Sequence, residues 1–176
     1  MVKSIMREKI FSPGRVVVLA AIIFLSWPGF FYAGGSFKNE ARAQSPKPSG
    51  FSLYDLNGNL VNLSDFKGRP VILFFWATWR PYCREKFPQL AQEYPNMKSK
   101  NIVFLAVDIG EQKSRVESYF KSKNIQIEFP VLLDQNSKVA SGYNIVGIPT
   151  FIVIGSQGQI LFSGNSFPSD YESILN

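Results

Sequence analysis

Six consecutive apolar residues, Val71-Ile72-Leu73-Phe74-Phe75-Trp76, run straight into Ala77-Thr78-Trp79-Arg80-Pro81-Tyr82-Cys83, and this junction constrains the fold more than any other stretch. An unbroken apolar run suits a central strand covered on both faces, because a strand with one wet face alternates. Beyond the junction, Cys83, Phe87, Leu90, Ala91, Tyr94 and Met97 recur at three- and four-residue spacing, the stripe of a helix packed on one side. Pro88 is expected to kink that helix and Pro95 to end its regular part. A buried strand, a turn and an amphipathic helix together make the opening unit of a layered α/β sheet.

The same alternation continues along the chain. Ile102-Val103-Phe104-Leu105-Ala106-Val107-Asp108 reads as a second buried strand. Ser114-Arg115-Val116-Glu117 matches a capping box, with Val116, Tyr119 and Phe120 as the apolar face of the helix it opens. A helical turn is expected over residues 139–143, and strands over 151–154 and 160–163, joined through Gly155-Ser156-Gln157-Gly158. One short helix is expected after Pro168. Upstream, Phe51-Ser52-Leu53 and Leu60-Val61-Asn62-Leu63 flank Asn57-Gly58, a pair that tolerates positive φ and favours a hairpin. The globular domain is therefore expected over residues 51–176.

Residues 1–37 have a different character. Lys3, Arg7, Lys9 and Arg15 precede an uncharged run over residues 16–37, and roughly 20 apolar residues suffice to cross a bilayer. Either this is a cleaved signal peptide, with Ala41-Arg42-Ala43 as the small-x-small site before Gln44, or it is a retained signal anchor. The gap of about ten residues before that site is long for a signal peptide, and tilts the reading towards the anchor. In both cases the basic start stays cytoplasmic and the remainder is exported. Residues 38–50, with Pro46 and Pro48 and no apolar face, read as a tether.

Charge and residue counts exclude several classes of function. The chain has a formal charge of +6, yet residues 44–176 hold 13 Lys+Arg against 11 Asp+Glu. A nucleic-acid binder concentrates basic charge on its folded domain, so no nucleic-acid partner is expected. With no histidine and one cysteine, a zinc, copper or haem site lacks ligands, so no metal and no cofactor are expected. No glycine-rich phosphate loop or paired carboxylate site is evident.

The ordered motifs from residue 50 to 170 resemble thioredoxin-like proteins of the TlpA/ResA type. The matching residues are Leu53, Asp55-Leu56 and Gly58, then Asp65-Phe66-Lys67-Gly68-Arg69-Pro70. Phe75-Trp76-Ala77-Thr78-Trp79, Pro81, Cys83-Arg84 and Pro88 follow in register. Phe129-Pro130-Val131-Leu132-Leu133-Asp134, Val139-Ala140, Tyr143 and Gly147-Ile148-Pro149-Thr150 complete the series. The resemblance implies a thioredoxin-like fold, a central mixed sheet flanked by helices with an N-terminal hairpin. It implies a thiol–disulfide oxidoreductase tethered to the bacterial inner membrane and facing the periplasm or the outside, or soluble there after cleavage near Ala43. The implied partner is an extracytoplasmic thiol- or disulfide-containing protein, as in cytochrome c maturation. Pro149 matches the family's cis-proline, beside which a partner's backbone pairs. Trp79, Pro81, Tyr82 and Ile148 are the implied walls of the substrate groove.

The site departs from the family pattern where the chemistry is. Such proteins attack a disulfide with a first cysteine and resolve the product with a second, three residues on. Here Arg80 replaces the first, and Cys83 is the sole cysteine. The family's usual Glu three residues after the second cysteine is Lys86, and Phe74 stands where thioredoxins proper often bury a carboxylate. Cys83 lies about 4.5 Å further along a helix than position 80, so it should be more buried and a poorer thiolate. Two readings of Arg80 follow: a solvated side chain filling a vacated position, or a guanidinium that joins the helix start to hold an anion. Three functions stay open: slow single-thiol exchange through Cys83, a redox-inactive binding module using the same groove, and a peroxidase-like activity. The last lacks the Pro-x-x-x-Thr/Ser-x-x-Cys spacing it needs.

Overall fold

The computed structural model describes residues 50–176; the expected membrane segment (1–37) and the tether, apart from Gly50, lie outside the described residues. Five strands form one sheet in the order β5-β4-β3-β6-β7. Its centre is β3 (Val71–Trp76), parallel to β4 (Val103–Ile109), which is in turn parallel to β5 (Val131–Asp134). On the other side β6 (Thr150–Ile154) runs antiparallel to β3, and β7 (Ile160–Gly164) antiparallel to β6. The sheet is therefore mixed. A separate hairpin of β1 (Ser52–Tyr54) and β2 (Leu60–Asn62) leans on the β5 edge, where Asp55 bridges Leu132 and the Leu56 N–H donates to the Val131 carbonyl at 3.1 Å.

Period-two alternation in β3 feeds two cores. Ile72, Phe74 and Trp76 face one side with Cys83, Phe87, Leu90, Phe104 and Phe151, while Val71, Leu73 and Phe75 face the other with Leu105, Val107, Ala140 and Tyr143. The first core is aromatic: Phe74 stacks on Phe151 at 4.7 Å, and Trp76 meets Phe87 edge-on at 4.6 Å. Helices cover it: α1 (Pro81–Arg84), α2 (Phe87–Ser99), α3 (Lys113–Ser122) and α5 (Tyr171–Leu175). The second core lies under α4 (Lys138–Gly142) and the hairpin. In the hairpin turn, Asp55 Oδ1 accepts from the N–H groups of Asn57 and Asn59, both at 2.8 Å, and Gly58 takes φ +85°.

Three expectations change in detail. The helix opened by Cys83 is interrupted rather than kinked: α1 ends at Arg84, and Pro88 sits in the first turn of α2. Proline has no N–H to give the carbonyl four residues back, so the break falls where that bond would be missing. Pro95 does not end the helix, which continues to Ser99 because Leu90 and Met97 seat its apolar face in the core. The capping box is not used: α3 starts at Lys113 with Gln112 as its N-cap, and Glu117 pairs with Lys113 at 3.6 Å instead. Just before that start, the Glu111 side chain turns inward to Thr78. Among the described residues no helix is long and apolar enough to cross a membrane.

Candidate functional site

The site lies where β3 runs out. Trp76 is the last strand residue, Arg80 is the N-cap of α1 in extended conformation (φ −92°, ψ 110°), and Pro81 occupies the first helical position, where a missing N–H costs nothing. The intervening turn is pinned from below by Glu111. Its carboxylate accepts from the Thr78 backbone N–H at 2.5 Å and from Thr78 Oγ1 at 2.7 Å, and pairs with Arg115 at 2.6 Å. Thr78 and Glu111 are both buried, so these are charge-assisted bonds shielded from water. Replacing Glu111 by alanine leaves two buried donors unmet and should cost about 2 kcal/mol of unfolding free energy, with Glu111→Gln recovering part of it. Urea unfolding at pH 7 measures this; equal midpoints for the native chain and Glu111→Ala would show that the pin is idle.

Cys83 is 0% exposed, inside the aromatic core beneath α1. Burial pushes its thiol up to about 11; the Ala77 backbone donor and the Arg80 charge pull the other way without overcoming it, and Asp108 adds to the rise. At pH 7 the thiolate is about one part in ten thousand. The chain has no second cysteine, and this thiol is free.

Arg80 ties the segment Trp79–Cys83 to the loop at Ile148–Pro149. The Ile148–Pro149 peptide is cis. The Arg80 Nε–H donates to the Ile148 carbonyl at 3.1 Å, and the guanidinium carbon lies 5.7 Å from the centre of the Tyr82 ring. Arg80 is thus exposed but not free: it spans from α1 to the loop before β6. Of the two readings of this residue, the solvated filler is incomplete, because the side chain is anchored at both ends. An anion site built on the helix start has little to stand on, since α1 is one turn long. Trp79 and Tyr82 are 57% and 63% exposed, Pro81 is exposed, Ile148 is half-buried and Pro149 is buried. The loop is held by Thr150 Oγ1 donating to the Gly147 carbonyl at 2.6 Å and by Asn165 Nδ2 donating to the Pro149 carbonyl at 2.8 Å.

These side chains form an exposed face between α1 and the Ile148–Pro149 loop. Two open clefts lie elsewhere, one of about 430 Å³ beside the hairpin at residues 50–54 and one of about 540 Å³ between residues 63–71 and 154–158, and neither is lined by Arg80, Cys83 or Pro149. Among the described residues no three His, Cys, Asp or Glu side chains come together in a way that could hold a metal ion.

Asp108 escaped the sequence reading as a site residue. It follows Val107 near the end of β4, in register with Trp76, and is 0% exposed; neither carboxylate oxygen makes a hydrogen bond of normal geometry. Burial pushes its carboxyl up to about 8, and the neighbouring Glu111 carboxylate raises it further than Arg115 lowers it. Phe74 is a fully buried ring, so the carboxylate under this site hangs from β4 and not from β3. A lone Asp near a strand end gives no sign in one dimension of whether it faces water or core. Glu111 was equally hidden, as one loop carboxylate among several.

A model of the AhpC/TSA family matches residues 44–163. The thiol-disulfide oxidoreductase ResA of Bacillus subtilis is 35% identical over 122 residues, covering 69% of this chain and 67% of that protein. The ResA of Geobacillus kaustophilus is 32% identical over 162 residues, covering 91% and 89%. A crystal structure of a putative thiol:disulfide interchange protein DsbE from Chlorobium tepidum superposes with a TM-score of 0.65 at 30% identity, covering 74% of this chain and 92% of that one. The chain belongs to the AhpC/TSA family and is a thioredoxin-like protein of the ResA/DsbE type.

Proposed function

We propose that this chain is an extracytoplasmic thioredoxin-like protein that holds an extended segment of a thiol- or disulfide-bearing partner in the groove between α1 and the Ile148–Pro149 loop, with little or no turnover. Slow exchange through the single thiol is the alternative. The observation that carries the choice is the state of Cys83, fully buried and raised to about 11. Attack on a disulfide needs an accessible thiolate, and release of the mixed disulfide needs a second thiol. The relatives that bear the name thiol-disulfide oxidoreductase support a partner of that redox class; cytochrome c maturation is the setting we propose for it. Residues 1–37 then anchor or export the domain at residues 51–176, and residues 38–50 tether it at the inner membrane unless cleavage near Ala43 releases it; the basic residues ahead of the apolar run support this topology. Nothing at Cys83 supports peroxide reduction, which also requires a reactive thiolate.

Alkylation measures the premise. The thiol of the folded full-length chain at pH 8 should react with iodoacetamide on the order of a hundredfold more slowly than the same thiol in denaturant. Its rate should still be climbing at pH 10, because the group titrates near 11. Comparable rates in the two states would favour single-thiol exchange over the binding reading.

A further inference from the structure

We propose that Arg80 makes the groove selective for an extended partner segment carrying a side-chain carboxylate. The inference rests on the groove being a peptide-binding site, and adds what that site reads. Arg80 is held in place by its Nε–H bond to the Ile148 carbonyl and by the Tyr82 ring. The bond uses one of its five N–H donors, and the guanidinium fork is rigid, so the remaining donors are already aimed before a ligand arrives. None of the three ion pairs among the described residues involves Arg80, nor its neighbours Arg84 and Lys86. Of the residues from 79 to 88 only Glu85 is acidic, and the loop from 143 to 150 carries no charge at all. The groove therefore presents unneutralised positive charge with no acid across from it.

A second, independent feature stands at the same spot. Among the described residues the Ile148 N–H has no hydrogen-bond partner, while the Ile148 carbonyl is taken by Arg80. Ile148 can thus donate to a carbonyl of an extended strand laid along the loop. A side chain one or two residues from that carbonyl reaches the guanidinium, and a carboxylate matches its planar fork. Exposed Trp79, Tyr82 and fully exposed Val146 offer apolar contact to the flanking residues. The selected ligand is an extended apolar segment with one acid. In the family's active form a sulfur occupies position 80, so this preference belongs to the arginine.

Selection of random, end-capped decapeptides by display on the full-length chain in detergent tests this. Acidic residues should be enriched at one position of the recovered peptides, and changing that residue to Gln should weaken binding about tenfold. Arg80→Ala should still recover apolar peptides without the acidic preference, and Arg80→Glu should recover basic ones. Recovery of peptides by the native chain with no acidic bias would overturn the inference and leave the groove reading standing. Failure to recover any peptide would overturn both.

Discussion

Restoring a sulfur at position 80 should convert this protein into a working dithiol reductase. Arg80→Cys places a thiol at the N-cap of α1, at an exposed position, with Pro81 fixing the turn. Unlike Cys83, that thiol sits at an exposed position and pays no burial penalty, so it ionises far more readily. The buried Cys83, three residues on, is then in place to resolve the mixed disulfide as an i, i+3 neighbour. The expected gain in reduction of a model disulfide is on the order of a hundredfold over the native chain, because both the attacking and the releasing steps become available. The double variant Arg80→Cys with Cys83→Ser should lose turnover and accumulate mixed disulfide. Arg80→Cys without a gain would mean that the scaffold around position 80 has drifted beyond recovery, and that the loss is not confined to one side chain.

The second large effect concerns stability. Asp108 is buried with no hydrogen bond of normal geometry to either carboxylate oxygen, and its carboxyl is raised from 3.8 to about 8, through burial first and the Glu111 side chain second. A raised carboxyl binds its proton in the folded state over a range where the unfolded chain has released it. The native state is therefore at no disadvantage below pH 3.8 and loses stability progressively as pH rises towards 8. Each pKa unit corresponds to about 1.4 kcal/mol at full effect, and relaxation around the charged form reduces it. Asp108→Asn removes this penalty, so its stability relative to the native chain should improve by about 3 kcal/mol between pH 5 and pH 9. Chemical denaturation across that range measures the difference. Parallel pH profiles for the two proteins would show that Asp108 is solvated or paired in solution.

These two residues mark the limit of what a one-dimensional reading reaches. The uninterrupted run from Val71 to Trp76 announced a strand buried on both faces, and β3 occupies those residues with a core on each side. The Asn57-Gly58 hairpin and the short helix over α4 were equally visible, since each is decided by local turn chemistry or spacing. Pro95 was misread because proline weakens a helix locally, whereas the packing of Leu90 and Met97 that sustains α2 is tertiary. Ser114-Arg115-Val116-Glu117 failed as a cap for a related reason: the inward pull on Glu111 comes from Thr78, 33 residues away. At the site, the depth of Cys83 followed from the rise of a helix, while the bond from Arg80 to Ile148 joins residues 68 apart and has no sequence signature. Asp108 is the clearest case. Its chemistry comes entirely from its surroundings: the core around it and the second carboxylate beside it.

The central claim is that the thiol of Cys83 does no catalytic work in the natural chain. The most direct measurement compares reduction of a model disulfide by the full-length protein with that by Cys83→Ser, at pH 7 and with excess thiol reductant. The account predicts equal rates, both at the uncatalysed background. A native rate several times that of Cys83→Ser would contradict it, and would make the lone sulfur a catalyst despite its burial.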